Sequence, residues 1–390
     1  MRYRIILVPA MTLSRRKMLA IVGGGSILAA SSAVGYSVTR MPQTAQTPWK
    51  TAGRYGDPRM NALSYALLAP NPHNRQPWLV ELDGDDAVVL HCDLDRLLPE
   101  TDPFSRQITI GLGCFLEMMR MAAASDGYRV DLALFPEGSD SERLDQRPVA
   151  HARFVADPSM TTDPLFAHAM DRRSLKEPFD LNRPVPRAAL RTLAEAALNG
   201  TRFGATVDAG QVDTLRRLTH DALIVELETP RTYMESVDLF RIGHREVDTN
   251  PDGIDFTGPM FETLRMTGLF SREVAANRSS QAYKSGIAAV TANADTAMGH
   301  SWLTTQGNSR VDQITAGMDW VRVNLAATSL GLGFQPLSQA LQEYPEMGAL
   351  YREVHGLLAE PGETIQMLVR LGYGPEVGQS PRWPLDTRLV

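Results

Sequence analysis

The sequence predicts an α+β fold made of two similar halves, and three observations carry that prediction. Residues 106–125 form an apolar run rich in Leu and Met, too long for a strand and suited to a buried helix. Short apolar strands separated by turn residues lie around it, and helices mixed with antiparallel strands in this order suggest α+β. The string Gln107-Ile108-Thr109-x-Gly111 returns as Gln313-Ile314-Thr315-x-Gly317, and Gly127-Tyr128 returns as Gly333-Phe334, both at an offset of 206 residues. Two such halves in one chain would mimic a two-fold dimer.

The chain has 390 residues, a net charge of −6 and 43% hydrophobic residues, a core-forming composition. The acidic balance argues against a nucleic-acid partner. Cys92 and Cys114 are the two cysteines, which excludes a disulfide framework, an iron–sulfur centre and a cysteine-based zinc site. No metal is expected.

Residues 1–36 read as an export signal. Arg2, Arg4, Arg15, Arg16 and Lys17 precede an apolar, small-residue stretch from Met18 to Tyr36. Ser14-Arg15-Arg16-Lys17-Met18-Leu19 matches the twin-arginine (Tat) pattern, which predicts passage through the Tat translocase and a periplasmic or outer-face, membrane-anchored location. Residues 37–56, rich in Pro, Thr and Gln, read as a linker. The first half is expected over 57–160 and the second over 161–390, with a possible lid at 229–308.

Along the first half, Leu63 to Ala69 looks helical and is stopped by Pro70 and Pro72. Trp78 to Leu82, then Asp83-Gly84, then Val88 to His91 reads as a strand, a turn and a strand. In the second half, Ile314 to Ala327 is the second long helix, and Ile365 to Leu371 reads as a buried strand.

Three motifs carry chemistry. Ala69-Pro70-Asn71-Pro72-His73-Asn74-Arg75-Gln76-Pro77-Trp78 is a proline-stiffened loop bearing amide and imidazole groups, able to meet the polar edge of a planar ring or simply to satisfy itself as a rigid turn. Asp171-Arg172-Arg173-Ser174-Leu175-Lys176 packs three cations and a hydroxyl together and suits a phosphate, although such runs are also common solvated patches. Arg382 lies on a stiff tail between Pro381 and Pro384 and could add a further phosphate cation.

These motifs resemble those of the flavin-dependent nitroreductases. PNPHNRQPW is similar to the family's P-S-S-x-N-x-Q-P-W loop, DRRSLKEPF to its R-x-S-x-R/K phosphate motif, and SLGLGFQPLSQAL to its G-L-x-x-x-P motif. Their order and the length of the chain resemble the Acg-type branch. The resemblance implies a nitroreductase-like fold, internally duplicated as an intrachain pseudo-dimer, with FMN as cofactor.

By this resemblance Arg172, Ser174 and Arg382 hold the FMN phosphate, and Arg173 joins them or points outward. Lys176 approaches flavin N1 and O2, and Asn71, His73, Asn74 and Gln76 contact the ring or ribityl chain from the other half. Pro336, Leu337 and Ser338 lie on the N5 side, where Ser338-Gln339 departs from the family's acidic or glycine residues. No side chain is expected to be catalytic, since flavin N5 carries the chemistry.

The first half has HNRQPW without a preceding RRS. The second has RRSLK, but Ala194 to Gly200 lacks the loop signature. One composite site, one FMN and a monomeric chain are therefore expected. The implied function is ping-pong electron transfer from NAD(P)H or another donor to a quinone- or nitro-like acceptor; the alternative is a non-catalytic FMN-binding or sequestering protein.

Other patterns are set aside. Asp248-x-Asn250-x-Asp252-Gly253 starts like a calcium loop but places Pro251 and Pro259 at its fourth and twelfth positions. His244-Arg245-Glu246 lacks the zinc deaminases' PCxxC. Gly111-x-Gly113 reads as helix packing, not a dinucleotide fingerprint.

Overall fold

The computed structural model describes residues 41–390. The twin-arginine signal lies outside the described residues. In chain order the elements are α1 (Thr47–Thr51), α2 (Pro58–Ala66), β1 (Trp78–Asp83), β2 (Ala87–Cys92), α3 (Arg106–Ser125), β3 (Tyr128–Leu134) and β4 (Ala150–Ala156). There follow α4 (Arg187–Ala196), β5 (Arg202–Thr206), α5 (Ala209–Glu228), α6 (Pro230–Asp238), β6 (Phe240–Ile242), α7 (His244–Thr249) and β7 (Ile254–Phe256). The chain ends with α8 (Pro259–Met266), α9 (Arg272–Ala276), α10 (Gln281–Asp295), β8 (Gly299–Thr305), α11 (Arg310–Ser329), β9 (Gly333–Pro336), α12 (Gly348–Leu358) and β10 (Thr364–Gly372).

Two antiparallel sheets share one strand plan. The first runs β1-β2-β4-β3 and the second β5-β8-β10-β9. In each, a helix precedes the first strand and a 20-residue helix joins the second to the third. Local signals set these helices. Asp57 caps α2 with Pro58 at its first position, so the helix starts before the expected Leu63 and ends at Ala66. The Asp102 carboxylate accepts from the Gln107 and Ile108 amides at the start of α3, and a Ser309–Asp312 capping box starts α11.

The long helices α3 and α11 pack on each other inside one apolar core that draws on both halves. Their crossing is reciprocal. A Cβ on Gly113 would lie 2.2 Å from the Ile314 carbonyl oxygen, and one on Gly317 would lie 1.9 Å from that of Ile110. The same positions thus meet from both sides, as in an isologous interface. These pairs stand 204 residues apart, as do the helix bounds. The connection after α11 is one residue longer than that after α3, so the offset of 206 seen in the sequence matches neither the helices nor the strands that follow them.

The halves differ between their first two strands. A tight turn joins β1 to β2, whereas α5 to α10 with the small parallel pair β6–β7 stand between β5 and β8. This corrects the lid expected at 229–308. The added segment already begins with α5, and residues 299–305 are β8, a strand paired on both sides by β5 and β10.

The linker expected at 37–56 is also corrected in its described part. Thr44 to Thr51 is helical, and Trp49 is buried with its indole N–H donating to the Ser380 carbonyl at 2.8 Å. A polar composition read as linker hid one aromatic anchor. The half boundaries blur at the other end too, since the C-terminal tail returns to the first half, where the Val390 amide donates to Val80.

Candidate functional site

The loop after α2 is strained and pinned. His73, Asn74 and Gln76 have positive φ (47°, 51° and 52°), a conformation costly for residues with a Cβ. Its position against α3 depends on Gly111, whose Cβ would lie 3.1 Å from that of Asn71. Within the loop the Asn71 side chain donates to Ala69 and accepts from the Gln76 amide at 2.7 Å. Gln76 is fully buried, its amide donating to Pro251 and accepting from Trp383. Asn71 and Gln76, expected to contact a ligand, thus engage their side chains in holding the loop, the tail and the added segment together.

Asn74 and His73 face outward from this frame in two directions. The Asn74 side chain accepts from the Arg382 guanidinium at 2.7 Å and donates to Pro381. His73 Nε2 lies 3.2 Å from the Ser236 hydroxyl on α6. Burial first, then the charges of Lys176 and Arg75, push His73 down to about 4, so its imidazole is neutral at pH 7.

The segment 172–177 lies beside β9, where the Leu175 amide donates to the Phe334 carbonyl. Its backbone is held from behind. Arg370, fully buried on β10, donates to the carbonyls of Leu175 and Glu177, and Asn293 donates to that of Lys176. The side chain of Lys176 is exposed, and its charge reaches both His73 and Glu226.

Arg172 and Arg382 converge on the end of α2. Arg172 donates to Leu68 and to Asn324, and Arg382 donates to Leu67, Leu68 and Ala69. Arg173 and Arg382 flank the Trp49 ring at 5.0 and 5.6 Å. The carboxylates whose charge reaches this cluster are Asp171, toward Arg173, and Asp255, toward Arg382. The Nε groups of Arg172 and Arg173 are buried without a partner. Burial pushes Arg172 down to about 10, and burial with the charges of Arg172 and Arg173 pushes Arg382 to about 9. Concentrated, desolvated positive charge held by neutral carbonyls is a setting that favours an anion. Ser174 stands half-buried between Arg172 and Lys176.

On the third side, Leu337 donates its amide to Leu368, and the Ser338 hydroxyl exchanges hydrogen bonds with the Leu368 backbone. Pro336 ends β9. The Ser338 side chain therefore fixes this buried turn to β10.

The motifs set aside have structural partners. Asp252 pairs with Arg75, Arg96 and Arg241, and Asp248 accepts from the Gln43 and Ala45 amides, so both carboxylates serve to fasten the added segment. His244 is hydrogen-bonded to the buried Glu262. Cys92 and Cys114 are buried free thiols. No cluster of metal-ligating side chains occurs among the described residues.

Sequence reasoning missed Arg370, Trp49 and Glu226. Arg370 interrupts an otherwise apolar strand, and that interruption was the readable signal.

No family model matches the chain. A Mycobacterium tuberculosis protein assigned by name as an NAD(P)H nitroreductase, acg, is 29% identical over 340 residues, covering 84% of this chain and 93% of that one. A second protein of that organism with the same assignment is 25% identical over 335 residues, covering 83% of this chain and 90% of its own. Among solved structures, one assigned as a nitroreductase from Anabaena variabilis covers 90% of this chain and 93% of its own at 12% identity and a TM-score of 0.44. A Bacteroides fragilis nitroreductase with bound FMN covers 58% of this chain and 97% of its own at 14% identity and a TM-score of 0.34. Over most of its length the chain is thus similar in sequence to proteins named as NAD(P)H nitroreductases of the Acg type.

Proposed function

We propose that the chain binds one FMN between its halves and acts as a flavin oxidoreductase of the nitroreductase type. The observation that carries this reading is the cluster of Arg172, Arg173 and Arg382 against the loop that bears His73 and Asn74, with the buried guanidinium groups of Arg172 and Arg382 held by backbone carbonyls. The residues fit the cofactor. Three guanidinium groups with Ser174 suit one terminal phosphate, and no glycine-rich pyrophosphate loop calls for a dinucleotide. The names of the homologues support the same reading.

Bound FMN would supply the redox chemistry, taking a hydride equivalent from NAD(P)H or another donor and passing it to a quinone- or nitro-like acceptor. The chain's own residues bind and orient. Arg172, Arg382 and Ser174 hold the phosphate, with Arg173 and Trp49 closing that end. Lys176 places positive charge where the reduced ring would carry negative charge. Neutral His73 and Asn74 meet the cofactor from the first half, and the turn at Pro336, Leu337 and Ser338 borders the reacting edge.

The test is the spectrum of the purified chain. A yellow flavin signal that NADPH bleaches anaerobically supports the oxidoreductase. A flavin that no donor reduces supports sequestration, and a chain without affinity for FMN contradicts both. A monomer of 42.9 kDa by light scattering is expected, because the second half supplies the surface that a partner subunit would; an obligate dimer contradicts this.

Export by the Tat route belongs to the same reading, since a site shared by two halves exists only after folding. Arg15→Lys with Arg16→Lys should hold the folded, yellow protein in the cytoplasm, because lysine lacks the guanidinium geometry. Unchanged periplasmic delivery of the double variant contradicts it.

A further inference from the structure

Glu226 lies in the last turn of α5, before the corner where α6 begins, and its environment is unusual for a carboxyl group. It is buried, and the Gln342 side-chain amide donates to it. Gln342 follows the turn that carries Leu337 and Ser338, and Leu223, one helical turn before Glu226, packs with Leu337 and Ala294. Lys176 lies within electrostatic reach. Glu226 therefore stands where the added segment meets the turn at 336–338 and the cationic motif. Two acceptors on the stretch from Gln339 to Gln342, which brings Gln342 to Glu226, are buried and unpaired among the described residues, Gln339 Oε1 and Gln342 Oε1.

We infer that Glu226 is a catalytic residue that delivers the proton to a quinone-type acceptor, with Gln339 and Gln342 receiving the O–H groups of the hydroquinone product. The inference rests on the flavin reading of the site. The balance is complete: the quinone gains two electrons and one proton, as a hydride equivalent, from the reduced cofactor. It gains its second proton on oxygen from the Glu226 carboxyl, and the carboxylate left behind recovers a proton from water. Unpaired acceptors fit the product better than the oxidised quinone, which has no O–H to donate.

The titration of Glu226 supports this geometry. Burial raises its carboxyl to about 7, opposed by the Gln342 hydrogen bond, with Glu235 raising it and Lys176 lowering it further. Tyr344 also faces it, its phenol pushed up by burial and then by the Glu226 charge. An acid that titrates near neutrality can give and regain a proton within one cycle.

The experiment uses photoreduced holoprotein mixed anaerobically with 1,4-naphthoquinone from pH 5.5 to 9. The wild type should oxidise fast below pH 7 and slow about tenfold per pH unit above it. Glu226→Gln should be about 100-fold slower at pH 6 and flat with pH. Gln342→Leu removes the hydrogen bond that lowers the carboxyl, so its inflection should move to higher pH. Infrared difference spectra, with or without FMN, should show two protonated carboxyls that titrate near neutrality, Glu226 and Asp102, the latter pushed up to about 6 by burial, and Glu226→Gln should lose one of them. FMN binding is read in the same samples. If the wild type binds no FMN, the flavin reading falls and this inference with it. If FMN binds but Glu226→Gln keeps the wild-type profile, or the infrared titration is unchanged in amplitude by the substitution, the assignment of Glu226 alone is overturned.

Discussion

The turn after α2 and the turn after α4 occupy equivalent places in the two halves and do opposite things. The first is a proline-braced loop with three residues at positive φ, reaching His73 and Asn74 toward the other half. The second closes on its own helix. The backbone N–H groups of Leu198, Asn199 and Thr201, with the Asn199 amide and the Thr201 hydroxyl, all donate to the carboxylate of Asp319, which is fully buried on α11. One scaffold position thus reaches across to the other half in one copy and is a sealed turn in the other. The lesson is that a repeated fold keeps its packing in both copies while the turns at its ends diverge.

The largest effect should come from the packing that both halves share. Gly317→Ala places a methyl group inside the contact distance of the Ile110 carbonyl, and Gly113→Ala does the same at Ile314. Each should cost about 3 kcal/mol or more in urea unfolding, since backbone must move to make room. Near-equal losses would sharpen the two-fold picture. A neutral result at one glycine would break it.

Asp319→Ala comes next. Removing the acceptor of five donors leaves several of them buried without a partner, at about 1–3 kcal/mol for each left unsatisfied. The predicted outcome is a fall in thermal midpoint without any second flavin site, because the arginine at the sealed turn, Arg322, which donates to the Ala196 carbonyl, is already paired with Glu117 and Asp163. A variant that gained a second FMN would show that Asp319 alone blocks the other site.

A smaller effect distinguishes the ligand loop by its pH dependence. The folded-state value of His73 is depressed to about 4 from an ordinary 6.5, so the neutral form is favoured by the fold. Its stabilising contribution is present in full above pH 6.5 and is lost as pH falls toward 4, by about 2 kcal/mol between pH 7 and pH 5. His73→Asn should shrink the loss seen on acidification by that amount. His300, pushed by burial to about 3, keeps its own share in the variant. An unchanged acid slope would show that His73 is not the group that titrates.

The legible parts of the molecule were those set by local chemistry. The helix over 106–125, the strand pair that follows Trp78 and the three motifs could be read from spacing, turn residues and residue type. The repeat was visible too, although its offset of 206 missed the 204 that relates the two crossing helices. What stayed hidden depends on distant partners. Trp49 is an anchor only because Arg173, Arg382 and Ser380 come to it from more than a hundred residues away. Asn71 and Gln76 look like ligand groups until Pro251 and Trp383 are seen engaging the loop. Glu226 acquires its character from Gln342 and from burial, neither of which leaves a mark on the residues around it in sequence.

The most direct measurement of the central claim is an equilibrium titration of flavin-free protein with FMN, followed by fluorescence quenching. One FMN per chain is predicted. Arg172→Ala combined with Arg382→Ala should weaken binding by at least about tenfold, since charge-assisted hydrogen bonds are worth about 1.5–3 kcal/mol each. Two flavins per chain, or unchanged affinity in the double variant, would contradict a single composite site built from opposite halves.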